Sequence, residues 1–121
     1  MENYRTYEKT KKLCKALEEN LSSSYSLDEM VAIAGVNRTT LNQSFHYLYG
    51  YSIFKWLREK RLQEAKKLLI TTDIPIQILS GQVGYRNSTS FSTAFKFRFG
   101  ISPRQYRYKD NYDRKNQKRR S

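Results

Sequence analysis

Hydrophobic residues recur along the chain at intervals of three and four, the spacing of one face of an α-helix. The first such segment runs from about Tyr4 to Leu21. Ser26 and Glu29 then form a capping box, because the serine hydroxyl and the glutamate can each satisfy a backbone N–H at a helix start. The short helix that they open ends at Gly35, a residue suited to a left-handed cap. The pattern predicts an all-α protein.

A second helix is predicted directly after this one. Asn37 is a good N-cap, and Leu41 and Phe45 form an apolar stripe that ends near Gly50. A short capped helix, a tight glycine turn and a second helix with its own stripe are typical of a helix-turn-helix. In that motif the second helix enters the major groove of DNA, so the sequence predicts a recognition helix after Asn37.

The longest helix is predicted from Ser52 to about Thr71. Pro75 follows it, and proline cannot continue an established helix. Six apolar positions are expected to share one face of this helix: Phe54, Leu57, Leu62, Ala65, Leu68 and Leu69. About eighteen helical residues span roughly 27 Å, so a stiff linker helix is predicted.

After the linker, the arrangement of the first half returns. At an offset of 49, the positions Leu27, Met30, Ala34 and Gly35 match Ile76, Leu79, Val83 and Gly84. At an offset of 50, the positions Leu41, Phe45, Gly50 and Ser52 match Phe91, Phe95, Gly100 and Ser102. The second turn has gained one residue and the helices keep their phase. This internal repeat predicts a second helix-turn-helix, followed by a short helix that Ser102 caps.

The predicted organisation therefore has four parts. Residues 1–50 form the first helix-turn-helix subdomain, 51–72 the linker helix and 73–108 the second subdomain. Residues 109–121 carry many charges and no apolar periodicity, so a basic, disordered tail is predicted.

Charge narrows the choice of partner. Lys and Arg total 23 against 11 Asp and Glu, a formal net charge of +12, and such a surplus implies a polyanion. The longest aliphatic run, residues 68–70, is far too short to span a bilayer, and no signal peptide is apparent, so a nucleic acid is predicted rather than a membrane. A single cysteine, Cys14, and a single histidine, His46, predict no disulfide, no metal site and no cofactor.

Polar side chains lie opposite the apolar stripes of both candidate recognition helices. Base reading is predicted for seven of them: Thr39, Asn42 and Gln43 in the first helix, and Ser88, Thr89, Ser92 and Thr93 in the second. Asn and Gln can pair bidentately with an adenine edge, whereas the short groups of the second helix predict weaker reading through water or methyl contacts. Phosphate contacts are predicted for Arg38, His46, Lys96 and Arg104.

The length of the linker bears on stoichiometry. One face of a major groove recurs every ~34 Å, and a linker of roughly 27 Å plus the width of each unit could set two recognition helices in adjacent groove segments. A monomer is therefore expected to contact two adjacent major-groove segments, which the two subunits of a symmetric dimer normally contact.

Over about residues 7–108 the chain resembles the DNA-binding domain of the AraC/XylS family of bacterial transcription activators. The most specific matches are Val83-Gly84-Tyr85, Ser90-Phe91, Phe95-Lys96, Phe99-Gly100, Ser102-Pro103 and Tyr106-Arg107. The resemblance implies seven helices, asymmetric promoter sites, activation through RNA polymerase, and a place in the bacterial cytoplasm on the nucleoid. Ser80 and Ile78 depart from the family pattern, which has a small apolar residue and an acid there.

Other interpretations stay open at this point. The chain could be the DNA-binding module of a recombinase or transposase, which would need a catalytic partner domain. An enzyme is disfavoured, because no nucleophile–base pair or phosphate loop appears. Arg61 could form a structural ion pair with Asp28, Glu29 or Asp73, or could contact DNA. The phenylalanines at 91, 95 and 99 are interpreted as core residues, with base stacking as the alternative.

Overall fold

The computed structural model describes residues 3–109, which form seven helices and no strand. The helices are α1 (Asn3–Glu18), α2 (Leu27–Ala34), α3 (Arg38–Tyr49), α4 (Ile53–Thr71), α5 (Ile76–Gln82), α6 (Ser88–Phe99) and α7, whose described part is 103–109. The predicted all-α class with seven helices is confirmed. Lys109, predicted to begin the tail, is helical, and the rest of the predicted tail, 110–121, lies outside the described residues.

The chain divides between Lys60 and Arg61 into two compact units, each with its own apolar core. The first core contains Leu13, Cys14, Leu17, Met30, Ala34, Leu41, Phe45, Ile53, Trp56 and Leu57. The second contains Leu62, Ala65, Leu69, Leu79, Val83, Phe91 and Phe95. Because the division falls inside α4, the helix that the sequence assigns to a separate linker at 51–72 supplies residues to both cores.

One expectation about α4 is wrong. Phe54 is 50% exposed, whereas Ile53 and Trp56 are buried. At 100° per residue, positions 53 and 57 belong to one stripe of the helix and positions 62, 65 and 69 to another. A helix that serves two cores carries two apolar stripes. A single stripe drawn along the whole helix therefore includes Phe54 and leaves out the buried Ile53 and Trp56.

Local capping chemistry fixes where the helices of the first unit begin and end. The Ser26 hydroxyl accepts the Glu29 N–H and donates to the Glu29 carboxylate, both at 3.1 Å. Gly35 has φ of +73°, in the left-handed region that glycine enters without a Cβ penalty. Two residues later the Asn37 side chain accepts the Thr40 N–H at 2.8 Å. The predicted starts and stops at these positions are confirmed.

The second turn is longer than the repeat suggests. Residues 83–87 connect α5 to α6, whereas residues 35–37 connect α2 to α3. Part of the difference is the extra residue in the sequence. The rest arises because α5 ends one position earlier than α2, where the Tyr85 N–H closes onto the Ser80 carbonyl at 2.9 Å and Gly84 adopts φ of +100°.

The aromatic residues of α6 settle one of the open alternatives. Phe91 and Phe95 are fully buried, and the Phe95 ring lies 4.7 Å from that of Phe99 and 5.7 Å from that of Tyr106. The interpretation of these rings as core, rather than as platforms for stacked bases, is confirmed. From α7, the Arg107 Nε–H donates to the Leu69 carbonyl at 2.9 Å, so α7 is tied to the last turns of α4.

Phe95→Ala is expected to lower the free energy of unfolding by about 3–5 kcal/mol, because it opens a cavity in the second core. Phe97→Ala on the same helix is the matched control. Its ring is 93% exposed, so the change should stay within about 0.5 kcal/mol. Denaturant titration measures both, and an unchanged midpoint for Phe95→Ala would contradict the burial.

Candidate nucleic-acid interface

The three base-reading residues predicted in α3 lie together on its exposed side. Leu41 and Phe45 are fully buried on the inner side, and Thr39, Asn42 and Gln43 are exposed. Spacings of three and four residues place these side chains over successive turns of one helical face. The structure therefore presents one hydroxyl and two amide groups on a single exposed face of α3.

A buried polar contact holds α3 against α1. The hydroxyls of Thr10 and Ser44 lie 2.8 Å apart, and the Thr10 hydroxyl also bonds to the Thr6 carbonyl at 2.9 Å. Both side chains are buried, and each finds a partner there, as buried hydroxyls require. Sequence reasoning missed this contact, although Thr10 precedes Leu13 and Leu17 on the same stripe of α1.

The second recognition helix, α6, presents a smaller polar surface. Thr89 and Thr93 are exposed, whereas Ser88 and Ser92 are half-buried. The Asn87 side chain caps the helix by accepting the Ser90 N–H at 2.8 Å. Of the four residues predicted to read bases here, the two threonines are the best presented.

The four predicted phosphate-binding residues are all exposed, and one of them forms an ion pair within the protein. Arg38 forms an ion pair and a hydrogen bond with Asp28, across the turn between α2 and α3. His46 and Lys96 lie on the outer sides of α3 and α6, and the Arg104 guanidinium lies 5.6 Å from the centroid of the Tyr108 ring. The pair of Arg38 with Asp28 was not foreseen, and it sits at the entrance to the first recognition helix.

Helix α1 contributes a basic surface that sequence reasoning also missed. Arg5 and Lys9 line an open groove with Asn37 and Thr40 at the start of α3. The signal was available, because residues 5, 9 and 12 are all basic and are spaced to share one helical face. The groove brings two cations next to the helix N-terminus, where backbone N–H groups already favour an anion.

Nothing among the described residues points to metal or thiol chemistry. No group of three or more His, Cys, Asp or Glu side chains in residues 3–109 is arranged to hold a metal ion. Cys14 is buried with its sulfur 3.5 Å from the Tyr49 hydroxyl, and this burial raises the pKa of the thiol. A thiol that stays protonated is a poor nucleophile, so Cys14 acts as a small core residue.

A membrane-spanning element is likewise missing from the part of the chain that the structure describes. None of its helices combines the length and the apolar composition that crossing a bilayer requires.

Two helix-turn-helix units with exposed polar recognition helices define a class, the helix-turn-helix DNA-binding proteins. The model of the helix-turn-helix domain family matches residues 30–109, and the chain belongs to this family, in its AraC/XylS branch of transcription regulators. The resemblance noted in the sequence is thereby confirmed.

Several relatives and solved structures are similar to the chain. The transcriptional activator NphR of a Rhodococcus species is 33% identical over 94 residues, which cover 77% of this chain and 28% of NphR. The activator AarP of Providencia stuartii is 31% identical, covering 78% of this chain and 70% of AarP. The crystal structure of the AdpA DNA-binding domain with a target DNA is 26% identical with a TM-score of 0.83, covering 87% of this chain and 95% of that chain.

The chain is short beside most of these relatives. It spans 28% of NphR and 35% of the activator VirF of Yersinia enterocolitica. The similarity therefore concerns only a part of those proteins.

The left-handed turn that leads into α3 can be tested with two glycines. Gly35→Ala should lower the free energy of unfolding by about 1–2 kcal/mol, because an L-residue is strained at φ of +73°. Gly81→Ala is the matched control, since Gly81 lies inside α5, and a Cβ there should stabilise by about 0.5–1 kcal/mol. Neither added Cβ has an atom within 4 Å, so the two variants differ in backbone conformation rather than packing. Equal shifts in thermal melting would contradict this account.

Proposed function

We propose that the protein is a sequence-specific, double-stranded-DNA-binding transcription regulator of bacteria that activates promoters by recruiting RNA polymerase. The observation that carries the proposal is the repeated unit itself: a short helix, a glycine turn, and a capped helix with a buried stripe and an exposed polar face. Each such unit has the architecture that places a helix in the major groove.

The two recognition helices divide the reading of bases unequally. In α3, the Asn42 and Gln43 amides can each donate and accept, as bidentate pairing with the N6 and N7 of adenine requires. In α6, Thr89 and Thr93 offer a hydroxyl and a methyl but no long amide. Hydrogen-bonded specificity therefore comes mainly from the first unit.

Basic side chains that can attract phosphate groups lie around both recognition helices. His46, Arg38 and the α1 pair of Arg5 and Lys9 flank the first recognition helix, while Lys96 and Arg104 serve the second unit. Contacts of this kind fix the register of a protein on the duplex without reading sequence. A net charge of +12 strengthens binding to any DNA and makes it dependent on salt.

The site on DNA is asymmetric, because the two units carry different side chains on equivalent faces. We place the two recognition helices in adjacent major-groove segments of one promoter site, bound by a monomer in the cytoplasm at the nucleoid. A helix the length of α4, about 28 Å for its 19 residues, is comparable with the groove repeat of ~34 Å. Relatives such as NphR and AarP are transcriptional activators, which supports activation and contact with RNA polymerase.

The alternative of a recombinase or transposase module is not favoured, because the similar proteins with stated functions are transcription regulators. Selection of bound sequences from a random DNA pool, followed by footprinting, tests the proposal. The expected result is an enriched asymmetric motif and a footprint of about two helical turns. A pool without preferred bases, or a footprint of a single half-site, would overturn it.

Gln43→Ala should weaken binding to the selected site by about 1–3 kcal/mol and leave non-specific binding almost unchanged, because the amide reads a base edge. Gln82→Ala is the control, an exposed glutamine outside both recognition helices. Electrophoretic mobility shifts on specific and scrambled duplexes measure the two affinities. Equal losses on both duplexes would show that Gln43 does not read bases.

Arg38→Ala should lower affinity for every duplex and reduce the slope of log K against log salt by about one unit. Asp28→Asn should act in the opposite direction, because it frees the Arg38 guanidinium and removes a negative charge near the phosphates. The gain from Asp28→Asn should shrink in the Arg38→Ala background. Salt titrations of the three variants decide this, and an unchanged slope for Arg38→Ala would refute the phosphate assignment.

A further inference from the structure

Phe97 is the most exposed large apolar side chain that the structure describes. Its ring is 93% exposed, although Phe91 and Phe95 on the same 12-residue helix are fully buried. Neither core includes Phe97, and Phe97→Ala is expected above to leave the stability of the fold unchanged. A ring in that position is therefore available to a ligand.

The position of Phe97 on α6 points to DNA as that ligand. Thr89, Thr93 and Phe97 follow one another at intervals of four residues, so they form one exposed row about 12 Å long. This row is the predicted base-reading face, extended by one turn. The exposed Lys96 and the neighbouring Arg98 carry positive charge on either side of the ring, which suits a polyanion rather than an apolar protein surface.

The internal repeat supports the same placement. At the offset of 50, Phe97 corresponds to Tyr47 on α3, which is also exposed, at 74%. Tyr47 is held by a stack on Tyr7, with ring centroids 4.9 Å apart and planes inclined by 4°. Each recognition helix therefore carries an aromatic side chain one turn beyond a matching position: Tyr47 follows Gln43 in α3, and Phe97 follows Thr93 in α6.

The chemistry of the row on α6 identifies the feature that it recognises. Two threonine methyl groups and a phenyl ring offer apolar contact, and only two short hydroxyls offer hydrogen bonds. In the major groove the one apolar group on a base edge is the C5 methyl of thymine, which Thr methyls and Phe contact. An exposed ring also gains from covering such a methyl, because both surfaces leave water.

We infer that Phe97 is a specificity-determining residue that packs against a thymine methyl group, so that the second unit selects thymine by apolar contact while the first selects bases by hydrogen bonds. This inference rests on the proposed function. It adds an aromatic residue, which the polar pattern of the sequence does not contain, to the methyl contacts expected of the second recognition helix.

Replacing thymine by deoxyuridine, one position at a time, in the selected DNA site gives a direct test. Uracil keeps the pairing edge and the O4 acceptor and lacks only the methyl. For the wild-type protein, at least one replacement should raise Kd about fourfold, the effect of one buried methyl group. Phe97→Ala should raise Kd about tenfold on the thymine site and should lose the effect of that replacement. Phe97→Leu, which keeps an apolar side chain, should retain most of the affinity for the thymine site and most of the effect of the deoxyuridine replacement.

Tyr47→Ala is the matched control from the first unit, and it should leave the same deoxyuridine effect intact. The inference is overturned if Phe97→Ala binds the thymine site as tightly as wild type, or if it shows an undiminished deoxyuridine effect. In either case the proposed function still stands as long as the protein binds its selected DNA site selectively. Normal DNA binding by Phe97→Ala with lost promoter activation would assign the ring to a protein partner, which also overturns it. Absence of any selective DNA binding would instead overturn the proposed function, and this inference with it.

Discussion

Burial of one apolar stripe on each recognition helix is the constraint on which the rest of the structure depends. Leu41 and Phe45 in α3, and Phe91 and Phe95 in α6, are all fully buried. Because a helix turns by 100° per residue, fixing these positions inward also fixes which positions face outward. The polar side chains at the outward-facing positions are therefore oriented by core packing, and the left-handed glycine and asparagine cap before α3 decide where its exposed face begins.

Features that depend on neighbouring residues could be predicted from the sequence. The Ser26 cap, the Gly35 turn, the Asn37 cap and the polar face of α3 follow from local chemistry and the helical period, and the structure contains them. Features that need a tertiary partner could not. The pairs of Thr10 with Ser44 and of Arg38 with Asp28 join different helices, so no local sequence pattern predicts them.

The error at Phe54 has the same origin. Sequence periodicity identifies the best single stripe, but α4 packs its first half into one core and its second half into another. A helix with two stripes has a weak overall periodicity, so the sequence alone could not choose between Phe54 and Ile53.

The two duplicated units share the residues that their recognition helices bury and differ in the residues that those helices expose. Each copy needs the same buried stripe and terminal glycine to hold its recognition helix, and both copies retain them. The exposed row carries no such structural requirement, so it has diverged from threonine, glutamine and tyrosine in α3 to threonine, threonine and phenylalanine in α6. Amides discriminate bases through directional hydrogen bonds, whereas methyl and phenyl groups respond to shape and apolar area. In the proposed complex, a duplex site recognised by both rows would therefore differ between its two halves, and the proposed asymmetry of the site would follow from the divergence of the exposed residues rather than from the shared scaffold.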